Sequence, residues 1–155
     1  MHDYKGYETA MELHPFDEAL GEKFTQTVGR YIHFAYTSDD GEPLQDMFPV
    51  DPPEDERDKL IDPDEVVFNG SAVRIVVDGQ PEYPVYRVLE VDGEMTRGQL
   101  IDEIGKTYAE VQRVDEASDG TVVGLDGRQI TNFFIEGIAL HEHDGATWVY
   151  LLMGT

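Results

Sequence analysis

FFIEGIALHEHDGATWVYLLMGT, residues 133–155, is the stretch that decides the fold class. Two runs rich in β-branched and aromatic residues, FFIEGIALHE and TWVYLLMGT, flank the tetrapeptide HDGA. Asp144-Gly145 suits a two-residue hairpin turn, which needs left-handed backbone that glycine and aspartate tolerate. The second run is apolar at successive positions: Trp148, Val149, Tyr150, Leu151, Leu152 and Met153. Successive strand residues point to opposite faces, so this run calls for burial on both. It belongs inside a sheet; left at an edge, it would pair across a subunit interface.

Working upstream, SAVRIVVDG and YPVYRVLEVDG, joined by DGQPE, read as another hairpin. Val73, Ile75 and Val77 alternate with Ala72, Arg74 and Val76, while Val85, Arg87, Leu89 and Val91 share one face of the partner strand. Pro84 marks the start of that strand or an edge, because proline cannot donate to a ladder. Between the hairpins, Thr96 and Gln99 form the capping-box pattern T-R-G-Q. Leu100, Ile104, Tyr108 and Val111 follow at helical spacing, with Ile101 beside them. Nearer the N-terminus, Leu20, Phe24, Val28 and Tyr31 also have helical spacing, but VGRYIHFAYT is rich in strand formers and Gly29 interrupts it. That stretch predicts a helix running into a strand, or a helix continuation, near residues 30–37.

The expected fold is therefore α+β. A mainly antiparallel sheet is built from two hairpins, about 66–91 and 130–154, with one or two helices, about 17–28 and 97–112, packed on it. A length of 155 residues and an apolar share of 40% fit a single domain, 1–155, whose core needs no disulfide or metal.

Residues 46–65, DMFPVDPPEDERDKLIDPDE, break the pattern. Pro52-Pro53 cannot sit inside a helix, and so many charges cannot be buried unpaired. An exposed proline- and acid-rich loop is expected, with one helical turn near EDERDKLI. It reads either as a solvated connection or as a recognition loop for a basic protein, carried by Asp51, Glu54, Asp55, Glu56 and Asp58.

Charge limits the partners. The chain has 33 acidic and 11 basic residues, a formal charge of −22. Nucleic acids and anionic membranes are repelled, and the basic residues are dispersed, so no direct nucleic-acid binding is expected. No apolar run is long enough to span a bilayer as a helix, and the N-terminus lacks the basic-then-apolar order of a signal peptide. Cysteine is absent, which removes disulfides, thiolate catalysis and cysteine-ligated zinc. A cytoplasmic setting is expected, or a virion if the source is viral. Few lysines and serines also suit a high-salt or GC-rich background. Carboxylates displayed at phosphate-like intervals would instead make a DNA mimic.

Two segments suggest metal. Starting at Asp115, the loop DEASDGTVVGLD places acid at positions 1, 5 and 12 and glycine at position 6 of a calcium-loop pattern. Asp115, Asp119, the Thr121 carbonyl and Asp126 would be the ligands. Ala117 at position 3 and Val123 at position 9 supply no side-chain oxygen, and Asp126 is short for bidentate contact; an Asp-Gly turn is the competing reading. In HEHD, His141 and His143 share a strand face and could hold zinc with ligands from elsewhere; the alternative is a polar strand end.

Catalytic motifs are missing. No serine sits in G-x-S-x-G, no glycine-rich phosphate cradle occurs, and abundant acids make paired carboxylates uninformative. The pattern points away from an enzyme and from a required cofactor. The leading expectation is a small acidic protein-interaction module: an inhibitor or immunity protein, a viral accessory or virion component, or a halophile's cytosolic protein. A calcium-binding domain and a DNA mimic are the alternatives, with a hydrolase or isomerase using carboxylate chemistry behind them, and oligomeric state is open.

Overall fold

The computed structural model describes residues 13–37, 43–44, 48–50, 52, 54–78, 82–118, 123–125, 129–132 and 134–153. In chain order these form β1 (Leu13–Pro15), α1 (Glu18–Gln26), β2 (Arg30–His33), β3 (Tyr36–Thr37), β4 (Pro43–Leu44), β5 (Phe48–Pro49), α2 (Glu54–Arg57), β6 (Val66–Val77), β7 (Val85–Thr96), α3 (Arg97–Ala117), a 3-10 turn (Ile130–Asn132), β8 (Phe134–His143) and β9 (Ala146–Met153). The fold is α+β. The main sheet runs β1-β7-β6-β9-β8-β2, and β5 pairs with β8 beyond the end of β2; β3 and β4 form a separate ribbon.

Every pairing is antiparallel except β6 with β9, where Arg74 lies opposite Trp148 and Ile75 opposite Val149. The doubly apolar last strand is thus interior, flanked by β6 and β8. Its turn is the two-residue mirror type: His143 pairs with Ala146, and Asp144 and Gly145 have φ of 52° and 76°.

One helix covers each face of the sheet. Val73, Ile75, Val77 and Val85 pack with Leu100, Ile101, Ile104, Tyr108 and Val111 of α3, each at most 1% exposed. The alternate strand residues face the other way. Val76 and Trp148, with Tyr86 and Tyr150 beside them, pack against Phe16, Leu20 and Phe24 of the α1 segment.

α3 opens with the capping box: Gln99 N donates to Thr96 Oγ1 at 3.2 Å, and Thr96 N donates to Gln99 Oε1 at 2.9 Å. The helix continues past residue 112 to Ala117. The extension is held by Val114, which joins the core, and by polar side chains that apolar spacing cannot register. Ile130 N donates to Gln112 Oε1 at 2.8 Å, and Leu125 N donates to Asp115 Oδ1 at 3.1 Å.

α1 is shorter than its spacing predicts. Asp17 caps it, accepting from Ala19 N at 2.9 Å, and the helix stops at Gln26. Thr27 is extended (φ −115°, ψ 153°), Val28 is fully exposed, and Tyr31 lies in β2 opposite Ala139. The helical spacing through Val28 and Tyr31 therefore joins residues of two elements. Gly29 makes the change possible, because a Cβ there would lie 2.9 Å from the His141 ring.

These packings set the scale of single substitutions. Ile104→Ala removes a side chain with no exposure and is expected to cost about 2–5 kcal/mol. Thr96→Ala removes one cap bond and is expected to cost about 1 kcal/mol. Denaturant unfolding followed by circular dichroism should rank them in that order; equal losses would contradict the packing described.

Candidate functional site

The proline- and acid-rich segment is pinned to the body at both ends. Val50 (0% exposed) and Leu60 (4%) are part of the main core. Between them α2 makes one turn, and its Arg57 grips Asp102 of α3 through Nε–Oδ1 at 2.8 Å and Nη2–Oδ2 at 3.4 Å. Arg97, the first residue of α3, closes the far end. Its Nε donates to His33 O at 3.0 Å, Nη1 to Asp62 O at 2.9 Å and Nη2 to Glu65 Oε1 at 3.1 Å. Exposed ion pairs alone stabilise little, typically under about 1 kcal/mol. The buried apolar anchors and the carbonyl bonds of Arg97 carry the attachment.

On this support Glu54, Asp55 and Asp58 are exposed, as are Asp62, Asp64 and Glu65. Asp51 lies outside the described residues, and of Glu56 only the backbone position in α2 is described. The acids of the segment thus lie on a pinned support, held by its own Arg57 and by Arg97 of α3.

Of the residues singled out for metal, Asp115, His141 and His143 are among the described residues. Asp115 is buried on α3, and its Oδ1 accepts from the Leu125 amide. Asp119, Thr121 and Asp126 lie outside the described residues. His141 and His143 do share one face of β8, but they have different surroundings. His141 is buried, stacked on Phe24 with centroids 4.4 Å apart and rings 13° from parallel, and its Nδ1 lies 3.5 Å from Thr27 Oγ1. Burial pushes its pKa below the ordinary value. His143 is partly exposed and pairs through Nε2 with Asp144 Oδ2 at 3.2 Å. Among the described residues no three His, Asp or Glu side chains are placed to hold one metal ion.

Beside His143, α1 and the sheet border an open cleft of about 400 Å³. Trp148, Leu20 and Arg74 line it, with Lys23, His143, Asp17 and Asp144 around them. The Arg74 guanidinium lies over Trp148 at 4.9 Å and over Tyr86 at 5.5 Å. At the other end of this face, Tyr150 Oη donates to Asp78 Oδ2 at 2.9 Å. Burial raises the Tyr150 pKa, and the bond to Asp78 and its charge add to the rise. Gly21 lets α1 approach, since a Cβ there would lie 2.6 Å from Asp78 Oδ2.

Sequence reasoning missed this cleft. The one available signal was Arg74, a cation inside the apolar run AVRIVV. Its neighbours Lys23 and Trp148 come from distant elements, so only the register brings them together. Comparisons with models of protein families, with curated proteins and with solved structures find no match to this chain.

His141 should make stability depend on pH. The fold favours its neutral ring, whereas an unfolded chain gives histidine a pKa of about 6.5. The stabilisation is fully present above that value. It is lost as pH falls below it, because the unfolded chain then binds the extra proton. Unfolding free energies measured between about pH 7 and pH 5 should fall more steeply for the wild type than for His141→Gln. Parallel pH profiles would mean that the ring is as well solvated in the fold as outside it.

Proposed function

We propose that the protein acts as an acidic interaction module, and that residues 54–65 present its carboxylates to a basic protein surface. The observation that carries this reading is the attachment of the segment. Leu60 is buried, Arg57 grips Asp102, and Arg97 holds Asp62 and Glu65, while Glu54, Asp55 and Asp58 stay exposed. A mere solvated connection has no need of such anchoring. Carboxylates on a fixed support lose little entropy when a cationic partner docks, and the formal charge of −22 steers that partner in from a distance.

The same charge argues against nucleic acid and anionic lipid as partners. No helix among the described residues is long and apolar enough to cross a membrane. An inhibitor, an immunity protein, a virion component and a halophile's cytosolic protein would all use such a face; the chemistry they share is recognition of clustered lysine and arginine.

The test is capture from source-cell extract at low salt on immobilised protein, beside the triple variant Glu54→Gln, Asp55→Asn, Asp58→Asn. A partner of basic composition should be retained by the wild type, elute as salt rises, and be lost on the variant, whose melting temperature should not fall. Equal capture by both proteins would remove the segment as the binding element.

A further inference from the structure

We infer that the cleft between α1 and the sheet is a binding site for a small organic anion, a carboxylate or phosphate monoester carrying a flat apolar body. This site lies on the other face of the sheet from residues 54–65 and does not depend on the reading given to them.

The argument begins with where the cations of an acidic chain go. Arg57, Arg87, Arg97 and Arg113 each pair with a carboxylate: Asp102, Glu103, Glu65 and Glu110 in turn. Arg74 does not. No carboxylate among the described residues reaches its guanidinium, although the chain has 33 acidic residues. The group instead lies over the Trp148 and Tyr86 rings, its Cζ 4.9 and 5.5 Å from their centroids, a contact that leaves its N–H donors for another acceptor. Lys23 adds a second positive charge to the same cleft, likewise without a carboxylate partner among the described residues.

The acids that line the cleft have other attachments. Asp17 caps α1 by accepting from Ala19 N, and Asp144 pairs with His143. The cleft's formal charges balance, two carboxylates against two cations, but the carboxylates are bonded elsewhere, so the open donors of Arg74 and Lys23 are what a ligand would meet. Guanidinium is suited to an anion, because its donors match two oxygens of a carboxylate or phosphate at once. Trp148 and Leu20 supply the apolar wall for the rest of the ligand. A volume of about 400 Å³ is of small-molecule size.

Trp148 is the single tryptophan of the chain, so its fluorescence reports on the cleft directly. Benzoate, phenyl phosphate, inorganic phosphate and benzyl alcohol are titrated into the full chain at about 0.15 M salt, where charges beyond about 8 Å are largely screened. Phenyl phosphate or benzoate should give a saturable change, and the tighter of the two identifies the headgroup. Benzyl alcohol, which has the ring without the charge, should bind at least about tenfold more weakly than that anion. Inorganic phosphate should bind more weakly than phenyl phosphate, since it has no body to lay on the wall.

Arg74→Gln should weaken the tighter anion by about tenfold or more. Lys23→Gln, an exposed helix position, should weaken it by a smaller factor and leave the melting temperature unchanged; it serves as the test if Arg74→Gln does not fold. Glu116→Gln, remote and exposed, should bind as the wild type does. No saturable change with any anion up to 10 mM overturns the proposal, taking about 10 mM as the weak limit for so small a ligand. So does equal binding of benzyl alcohol, or a folded Arg74→Gln or Lys23→Gln that binds like the wild type.

Discussion

Trp148 and Val149 are neighbours in the chain, yet each is buried in a different core. A strand can bury both faces only if structure covers it above and below, and this requirement organises the rest of the fold. Val149 draws β9 into the layer under α3, and Trp148 demands a second cover, which α1 supplies through Phe24. Each fully buried side chain of this size stabilises by roughly 1.5–3 kcal/mol, so an exposed face of β9 would cost a large fraction of a small domain's net stability. The interior place also explains the single parallel pairing. β6 and β9 run the same way because β7, α3 and β8 intervene between them, and such a connection is long enough to return the chain to the same end of the sheet.

The second organising constraint is the scarcity of positive charge. With 11 basic residues against 33 acidic ones, each arginine has a choice of partners, and Arg57, Arg87 and Arg97 each take one that ties two elements together. Arg87 shows the pattern in its most buried form. From β7, its Nη1 meets Glu103 Oε2 at 2.8 Å and also donates to Glu103 O and Thr107 Oγ1, both at 3.2 Å, linking strand to helix beside the core. Its side chain is 11% exposed, so this bond is less open to solvent than an ordinary surface pair. Arg57 and Arg97 do the same for residues 54–65. The remaining negative charge is left to the surface, where salt at 0.15 M limits repulsion to about 8 Å. Three arginines thus join elements while most anions are left toward solvent, and Arg74 lies instead over the Trp148 and Tyr86 rings in a cleft.

What was legible in the sequence was whatever apolar periodicity encodes. The two hairpins, the mirror turn at Asp144-Gly145, the capping box of Thr96 and Gln99, and the buried stripe of α3 all follow from side-chain spacing and turn chemistry. The errors of extent have physical causes. α3 outruns its apolar stripe because Gln112 and Asp115 are bonded to distant backbone amides. α1 falls short because Gly29 allows the chain to turn against His141, which spacing alone cannot foresee. Of the candidate sites, the carboxylates of residues 54–65 could be named from composition, but not that buried Val50 and Leu60 hold the segment down. Asp115 was legible as an acid at a loop and illegible as an acceptor for Leu125. The cleft could not be read at all, because Lys23, Arg74, His143 and Trp148 come from α1, β6, β8 and β9.

The two proposed surfaces work by opposite electrostatic rules, and that separates them. A carboxylate display acts at long range: it attracts any cationic surface, gains from low salt, and is discriminating only through the spacing of its charges. A cleft holding Arg74 and Lys23 in a molecule of charge −22 cannot attract its ligand from afar, because the distant field repels anions. It must hold that ligand by contact, through oriented donors and the apolar wall of Trp148 and Leu20. Raising salt from very low values therefore weakens the first interaction, while for the second it also removes the repulsion that opposes entry. A partner whose binding falls steadily with salt belongs to the acidic face; a ligand whose binding survives or improves on leaving very low salt belongs to the cleft.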